Sequence, residues 1–165
     1  AAVLERAPGA EPRLLPLYRR MLRDREAALG LDHLDVAKAA NSLAGLLGAM
    51  GDHAEAVPLH RRALAIRGAR LGADHELTGN SLNNLAGSVW ACGGRAEASA
   101  LYQRALEVFR ARLGPDDPRT VATAGSLARV KEWEAETLRG SRHGPADTGT
   151  LACTEDGGAG LASIQ

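Results

Sequence analysis

The sequence predicts an all-α fold, a linear array of antiparallel helix pairs. Three observations predict it. Residues 72–113 repeat residues 30–71 at an offset of about 42 positions, with about 19 of them identical. Within each copy the apolar residues recur at the three- and four-residue spacing of a helix face. Aromatic residues make up only 3% of the chain, while alanine and leucine abound. That composition suits closely packed helices and disfavours a β-sandwich, which wants more Val, Ile, Tyr and Phe. Arrays of this kind mostly present surfaces, because each unit contacts only its neighbours and long faces are left open.

The chain enters midway through a unit. Residues 1–10 read as the worn end of a preceding repeat helix, with Gly9 one repeat length before Gly51 and Gly93. Residues 11–29 read as the second helix of a partial repeat. There Pro16-Leu17-Tyr18-Arg19-Arg20 aligns with Pro58-Leu59-His60-Arg61-Arg62. The first full unit is residues 30–71. Its first helix, about 34–50, carries Leu43, Ala44, Leu46 and Leu47 on one face. Gly51 then gives the positive φ of a tight turn. The second helix, about 53–70, carries Ala56, Leu59, Ala63, Leu64 and Ile66, and Leu71-Gly72 ends it. In the second unit, residues 72–113, the same positions hold Leu85, Ala86 and Val89, then Gly93, then Ala98, Leu101, Ala105, Leu106 and Val108. One such hairpin has too little apolar face to stand alone, so it must stack on its neighbours. The recurring alanines at 44, 86 and 128, at 56 and 98, and at 63 and 105 predict close helix approach. Asp32-His33, Asp74-His75 and Asp116-Asp117-Pro118 read as helix starts, with Asp accepting from free N–H groups and Pro in the first turn.

The third unit departs from the pattern. Ala135 stands where Gly51 and Gly93 stood, so residues 114–139 predict one longer, more polar terminal capping helix. Residues 140–165 are rich in Gly, Ser, Thr and Asp and predict a disordered tail. The chain opens inside the repeat pattern and without Met, as a piece of a longer array would.

Acidic and basic residues balance at 20 each, which argues against nucleic acid as a partner. Two distant cysteines, Cys92 and Cys153, make no disulfide framework, and this points to a reducing, cytoplasmic setting. No apolar run reaches membrane-span length and no signal peptide is visible, so no membrane association is expected. There is no P-loop, no H-E-x-x-H and no G-x-S-x-G, so neither enzyme activity nor a cofactor is expected. His33 and His75 lie one repeat apart in equivalent turns, which fits helix starts better than metal ligands.

The string Leu82-Asn83-Asn84-Leu85-Ala86, Gly93, Ala96-Glu97-Ala98, Leu101-Tyr102, Arg104-Ala105-Leu106 and Leu113-Gly114-Pro115-Asp116 resembles the 42-residue tetratricopeptide repeat of kinesin light chains and nephrocystin-type proteins. The resemblance covers about residues 16–133. It implies a right-handed α-solenoid whose first helices line a concave groove for extended peptides. Carried over position by position, that groove holds Lys38, Asn41 and Ser42 in the first full unit. The second unit gives Asn80, Asn83, Asn84 and Trp90, and the third gives Arg129 and Trp133. An amide both donates and accepts, so asparagine pairs with a peptide backbone of any sequence. Lys38 and Arg129 suit an acidic side chain or a terminal carboxylate. Trp90 and Trp133 either offer apolar pockets or pack between repeats. The chain departs from the family where His53 and Arg95 replace the aromatic after the glycine turn, where Gly45, Gly48 and Gly87 dilute the first helices, and where Leu14 replaces alanine.

The resulting expectation is a protein-binding adaptor or scaffold that takes a peptide segment of a partner protein. The alternative is a spacer, sensor arm or oligomerisation segment of a larger regulator without a peptide ligand. Self-association through exposed repeat ends is compatible with both.

Overall fold

A computed structural model describes residues 11–140. They form six helices and no strand: α1 (Glu11–Leu29), α2 (Leu34–Ala49), α3 (His53–Leu71), α4 (Glu76–Ala91), α5 (Arg95–Leu113) and α6 (Pro118–Gly140). The expectations placed on residues 1–10 and on the tail after Gly140 lie outside the described residues. Each helix packs on the next in chain order, and α2 also touches α4 directly. The helices α2, α4 and α6 are therefore first helices of successive units, and α1, α3 and α5 are second helices.

Short-range chemistry sets these elements. Gly51 turns α2 into α3 at φ +89°, and Gly72 closes α3 at φ +92°, both in the left-handed region that side chains disfavour. The helix starts differ from the sequence expectation in one respect. At α2 and α4 the cap is the histidine: His33 Nδ1 accepts from the Asp35 N–H and His75 Nδ1 from the Leu77 N–H, each at 3.1 Å. The preceding aspartates are one residue too early for that geometry. Asp74 instead takes Arg104 at 2.6 Å. At α6 the expectation of an Asp cap holds: Asp117 accepts from the Arg119 N–H at 2.9 Å, with Pro118 as the first helical residue. The contacts of that backbone N–H and of the Arg119 guanidinium hold the Asp117 carboxyl below the usual range.

The core lies between helices. Ala44, Ala86, Ala56, Ala98, Ala63 and Ala105 are all fully buried at 0% exposure, so the small side chains let the axes close up. Ala128, at the position of Ala44 and Ala86, is exposed. The expectation that it packs likewise is corrected, because no second helix follows α6 among the described residues to cover it. On the other flank, arginines tie successive second helices. Arg19 pairs with Glu55 at 2.7 Å and Arg61 with Glu97 at 2.9 Å, one repeat apart. Arg62 also reaches Glu26. Such exposed pairs contribute about 0–1 kcal/mol each and mainly fix register.

Candidate interaction face of the first helices

Positions 38, 41 and 42 on α2 and 80, 83 and 84 on α4 stand at i, i+3 and i+4 and share one face of each helix; on α6 the equivalents of the last two are 125 and 126, and Arg129 lies one turn beyond 125. Side-chain hydrogen bonds join these stripes. Asn84 Nδ2 donates to Asn41 Oδ1 at 3.2 Å, bridging α4 to α2. Thr123 Oγ1 donates to Asn83 Oδ1 at 3.0 Å, bridging α6 to α4. Lys38 is exposed, and Ser42 and Asn80 are half-buried. None of the three makes a side-chain hydrogen bond among the described residues. Within residues 38–49, 80–91 and 122–131 there is no carboxylate.

Sequence reasoning missed the partner that gives Asn41 its second role. His60 on α3 is 3% exposed, and its Nδ1 lies 3.0 Å from Asn41 Oδ1. That oxygen only accepts, so His60 carries its proton on Nδ1. Burial first, and the nearby Arg67 charge second, lower the His60 pKa to about 4. Arg67 is itself 7% exposed. It donates to Ser81 Oγ at 2.8 Å and to the Leu77 carbonyl at 3.2 Å, and burial lowers its pKa. A polar seam thus runs from α2 through α3 to α4. The signal was present in the repeat alignment: His60 and Arg67 stand where the next unit has Tyr102 and Phe109.

The remaining predicted residues gather at the α4–α6 end. Trp90, Tyr102, Ser126, Arg129 and Val130 line a hollow of about 260 Å³. Arg129 is exposed and donates to Ser126 Oγ at 3.3 Å. Burial pushes the Tyr102 hydroxyl upward, opposed by its hydrogen bond with Ser126 and by the Arg129 charge. The Trp133 ring meets Trp90 edge-on, with centroids 6.0 Å apart at 89°. The Arg95 guanidinium lies 3.8 Å from the Trp90 centroid and 4.9 Å from that of Trp133, and it donates to the Trp90 carbonyl at 2.7 Å. The residue that replaces the usual aromatic therefore fills an aromatic's place by stacking.

Among the described residues no group of three or more His, Cys, Asp or Glu side chains is placed to hold a metal ion. No helix among them is long and apolar enough to cross a membrane. Cys92 is partly buried against Val57, Leu85 and Val89. It is disulfide-bonded.

The tetratricopeptide repeat profile matches residues 14–69, 35–91 and 77–136. Two solved structures share the fold. The kinesin light chain nearly identical TPR-like repeats of Podosopora anserina superpose with a TM-score of 0.73 at 22% identity, covering 81% of this chain and 64% of that one. BtubC (BKLC) from P. vanneervenii superposes at 0.61 with 18% identity, covering 95% of this chain and 65% of that one. The chain thus spans just under two thirds of the length of either structure. No curated protein matches the sequence. With matched segments running across most of its length, the chain belongs to the tetratricopeptide repeat family, whose repeats generally serve as protein–protein interaction modules.

Proposed function

We infer that α2, α4 and α6 together bind an extended peptide segment of a partner protein. The observation that carries this reading is the stripe that Asn84–Asn41 and Asn83–Thr123 join across three helices. It offers amides and two cations, Lys38 and Arg129, with no carboxylate between them. Such a surface favours a peptide whose backbone pairs with amides and whose side chains or terminus are acidic. Lys38, Ser42 and Asn80 are the positions with most unused hydrogen-bonding capacity. Asn41 and Asn83 contribute their remaining amide protons while their oxygens stay engaged within the fold. The hollow beside Arg129 takes one side chain of the partner against the Trp90 ring.

The test is a peptide array probed with the wild type and with a Lys38→Ala, Asn80→Ala double variant. Neither side chain holds the fold together, so lost binding reports on the surface and not on stability. Capture of extended peptides by the wild type and at least tenfold weaker capture by the variant is the expected result. Equal capture by both proteins would overturn the assignment. No capture by either would favour the alternative, a spacer or oligomerisation segment without a peptide ligand.

A further inference from the structure

The hollow that α4, α5 and α6 enclose has a composition that the preceding junction lacks. Its lining residues Trp90, Tyr102, Ser126, Arg129 and Val130 correspond, one repeat earlier, to Gly48, His60, Asn84, Gly87 and Ser88. At the earlier junction the polar groups are engaged with one another: His60 and Asn84 both meet Asn41 Oδ1. Glycine stands there in place of both the tryptophan and the cation. At the later junction the polar groups keep bonding capacity. Arg129 makes one contact, to Ser126 Oγ at 3.3 Å, and pairs with no carboxylate among the described residues. Glu132, one turn further along α6, is exposed and makes no ion pair among them either. Tyr102 is 8% exposed. Its hydroxyl lies under α4 at Gly87, where a Cβ would approach it to 3.4 Å. Tyr102 and Ser126 share a hydrogen bond, and whichever hydroxyl donates in it, the proton of the other is left over. Further repeats stacked beyond α6 would leave this hollow open, because α4 and α5 already form its other walls.

We propose that this hollow is a carboxylate subsite, floored by the Tyr102 and Ser126 hydroxyls, that admits a glutamate side chain of the bound segment. The proposal rests on the peptide-binding reading of α2, α4 and α6 and narrows its ligand. The Arg129 guanidinium, with most of its N–H groups unused, can meet a carboxylate through two parallel bonds. The leftover hydroxyl proton supplies a further bond to the same group. Arg95, also beside Trp90, is already held by that residue's ring and carbonyl. Arg129 is thus the one lining cation, and a monoanion matches it better than a phosphate dianion. The acid has to reach a floor set below the Trp90 ring and the Val130 side chain, through about 260 Å³ of space. The methylenes of glutamate give that reach and cover the apolar walls, whereas the shorter stem of aspartate falls short. Gly87 keeps the Tyr102 hydroxyl open to the face, since a larger side chain at 87 would lie over it.

Titration of the full chain with N-acetyl-glutamate N-methylamide tests this, followed by NMR at the Arg129 Nε–H and the Trp90 indole N–H. A ligand of this size should shift both signals saturably, with a Kd of about 1 mM. The blocked aspartate and glutamine analogues, and N-acetyl-alanine with its free terminal carboxylate, should bind about tenfold more weakly or worse. Tyr102→Phe with Ser126→Ala removes both hydroxyls and no charge, and should weaken glutamate binding about fivefold or more. Arg129→Gln should abolish it. Circular dichroism checks that both variants keep their helicity. The proposal is overturned by a wild type that shows no saturable shift up to about 100 mM, or by a hydroxyl-free variant that binds glutamate unchanged. Equal binding of the aspartate or glutamine analogue overturns it too, and N-acetyl-alanine binding as tightly would assign the hollow to a chain terminus instead. Peptide capture on the array without a glutamate shift removes the subsite and keeps the wider reading, and a glutamate shift without capture does the reverse.

Discussion

Asn41→Ala and Asn80→Ala are the same chemical change on equivalent helices, yet they should differ in cost. Each removes an amide from a first helix and gains about 0.5 kcal/mol of helix propensity. Asn80 makes no side-chain hydrogen bond among the described residues, so its variant should stay within about 0.5 kcal/mol of wild type. Asn41 Oδ1 receives both His60 and Asn84. Asn84 is half-buried and can turn its amide to water. His60 is 3% exposed, so its Nδ1–H is stranded when Asn41 is truncated. A stranded buried donor costs about 1–3 kcal/mol. Net of propensity, Asn41→Ala should be about 1–2 kcal/mol less stable than wild type. Urea unfolding followed by the fluorescence of Trp90 and Trp133 measures both variants. His60→Leu supplies the control, since it removes the donor that Asn41 satisfies. In the Asn41→Ala, His60→Leu double variant the loss at position 41 should largely disappear, as a coupling of about 1 kcal/mol or more. If Asn41→Ala and Asn80→Ala cost the same within about 0.5 kcal/mol, the buried amide–imidazole contact does not hold these units together.

His60 also predicts a pH dependence. Its folded pKa of about 4 lies below the ordinary 6.5, so the unfolded chain takes up a proton that the native state refuses. Stability is then full above about pH 6.5 and falls as pH drops toward 4, by about 3 kcal/mol in total. His60→Leu should flatten that part of the stability profile, and an unchanged profile in the variant would show that His60 is not its source. Ala98→Leu puts a larger side chain into a site at 0% exposure and should cost about 1–3 kcal/mol; an unchanged melting temperature would remove the close-packing account. Arg95→Ala removes the stack on both tryptophans and the bond to the Trp90 carbonyl. It should cost about 1–2 kcal/mol and speed amide hydrogen exchange in α6 before the inner helices, whereas uniform or unchanged exchange would show that Arg95 does not secure α6.

The helices were legible because their causes are local and doubled. The apolar spacing of 43, 44, 46 and 47 recurs at 85, 86 and 89, and the turn glycines recur with it. An isolated helix start is harder to read. Asp and His stand side by side at 32–33 and 74–75, and only the backbone path shows that Nδ1 of the second residue reaches the N–H. The candidate face was legible as positions and illegible as chemistry. Periodicity puts Asn41 and Asn84 on one face of their helices, but it cannot show that they bond to each other. That bond depends on how α2 and α4 cross, and His60 enters from a helix in between. Arg95 was visible as a departure from the repeat. Its stacking partners, Trp90 and Trp133, belong to different helices and meet only in the fold.

Differences between the two full units are matched by differences in what surrounds them. Arg67 on α3 is accommodated by Ser81 Oγ and the Leu77 carbonyl. One repeat later the same position holds Phe109, which needs clearance rather than acceptors. Gly79 provides it: a Cβ there would lie 2.8 Å from Phe109 Cε1 and 3.0 Å from Val108 Cγ1. At the position equivalent to Gly79, α2 has Ala37, and the position equivalent to Phe109 holds Arg67 rather than an aromatic ring. At Gly87 a Cβ would meet only Tyr102 Oη, at 3.4 Å, so packing does not demand glycine there as it does at Gly79. The exchange of α3 for α5 would therefore strand Ser81 beside a phenyl ring and set a guanidinium against Gly79. Each junction is thus fitted to its own second helix at these positions.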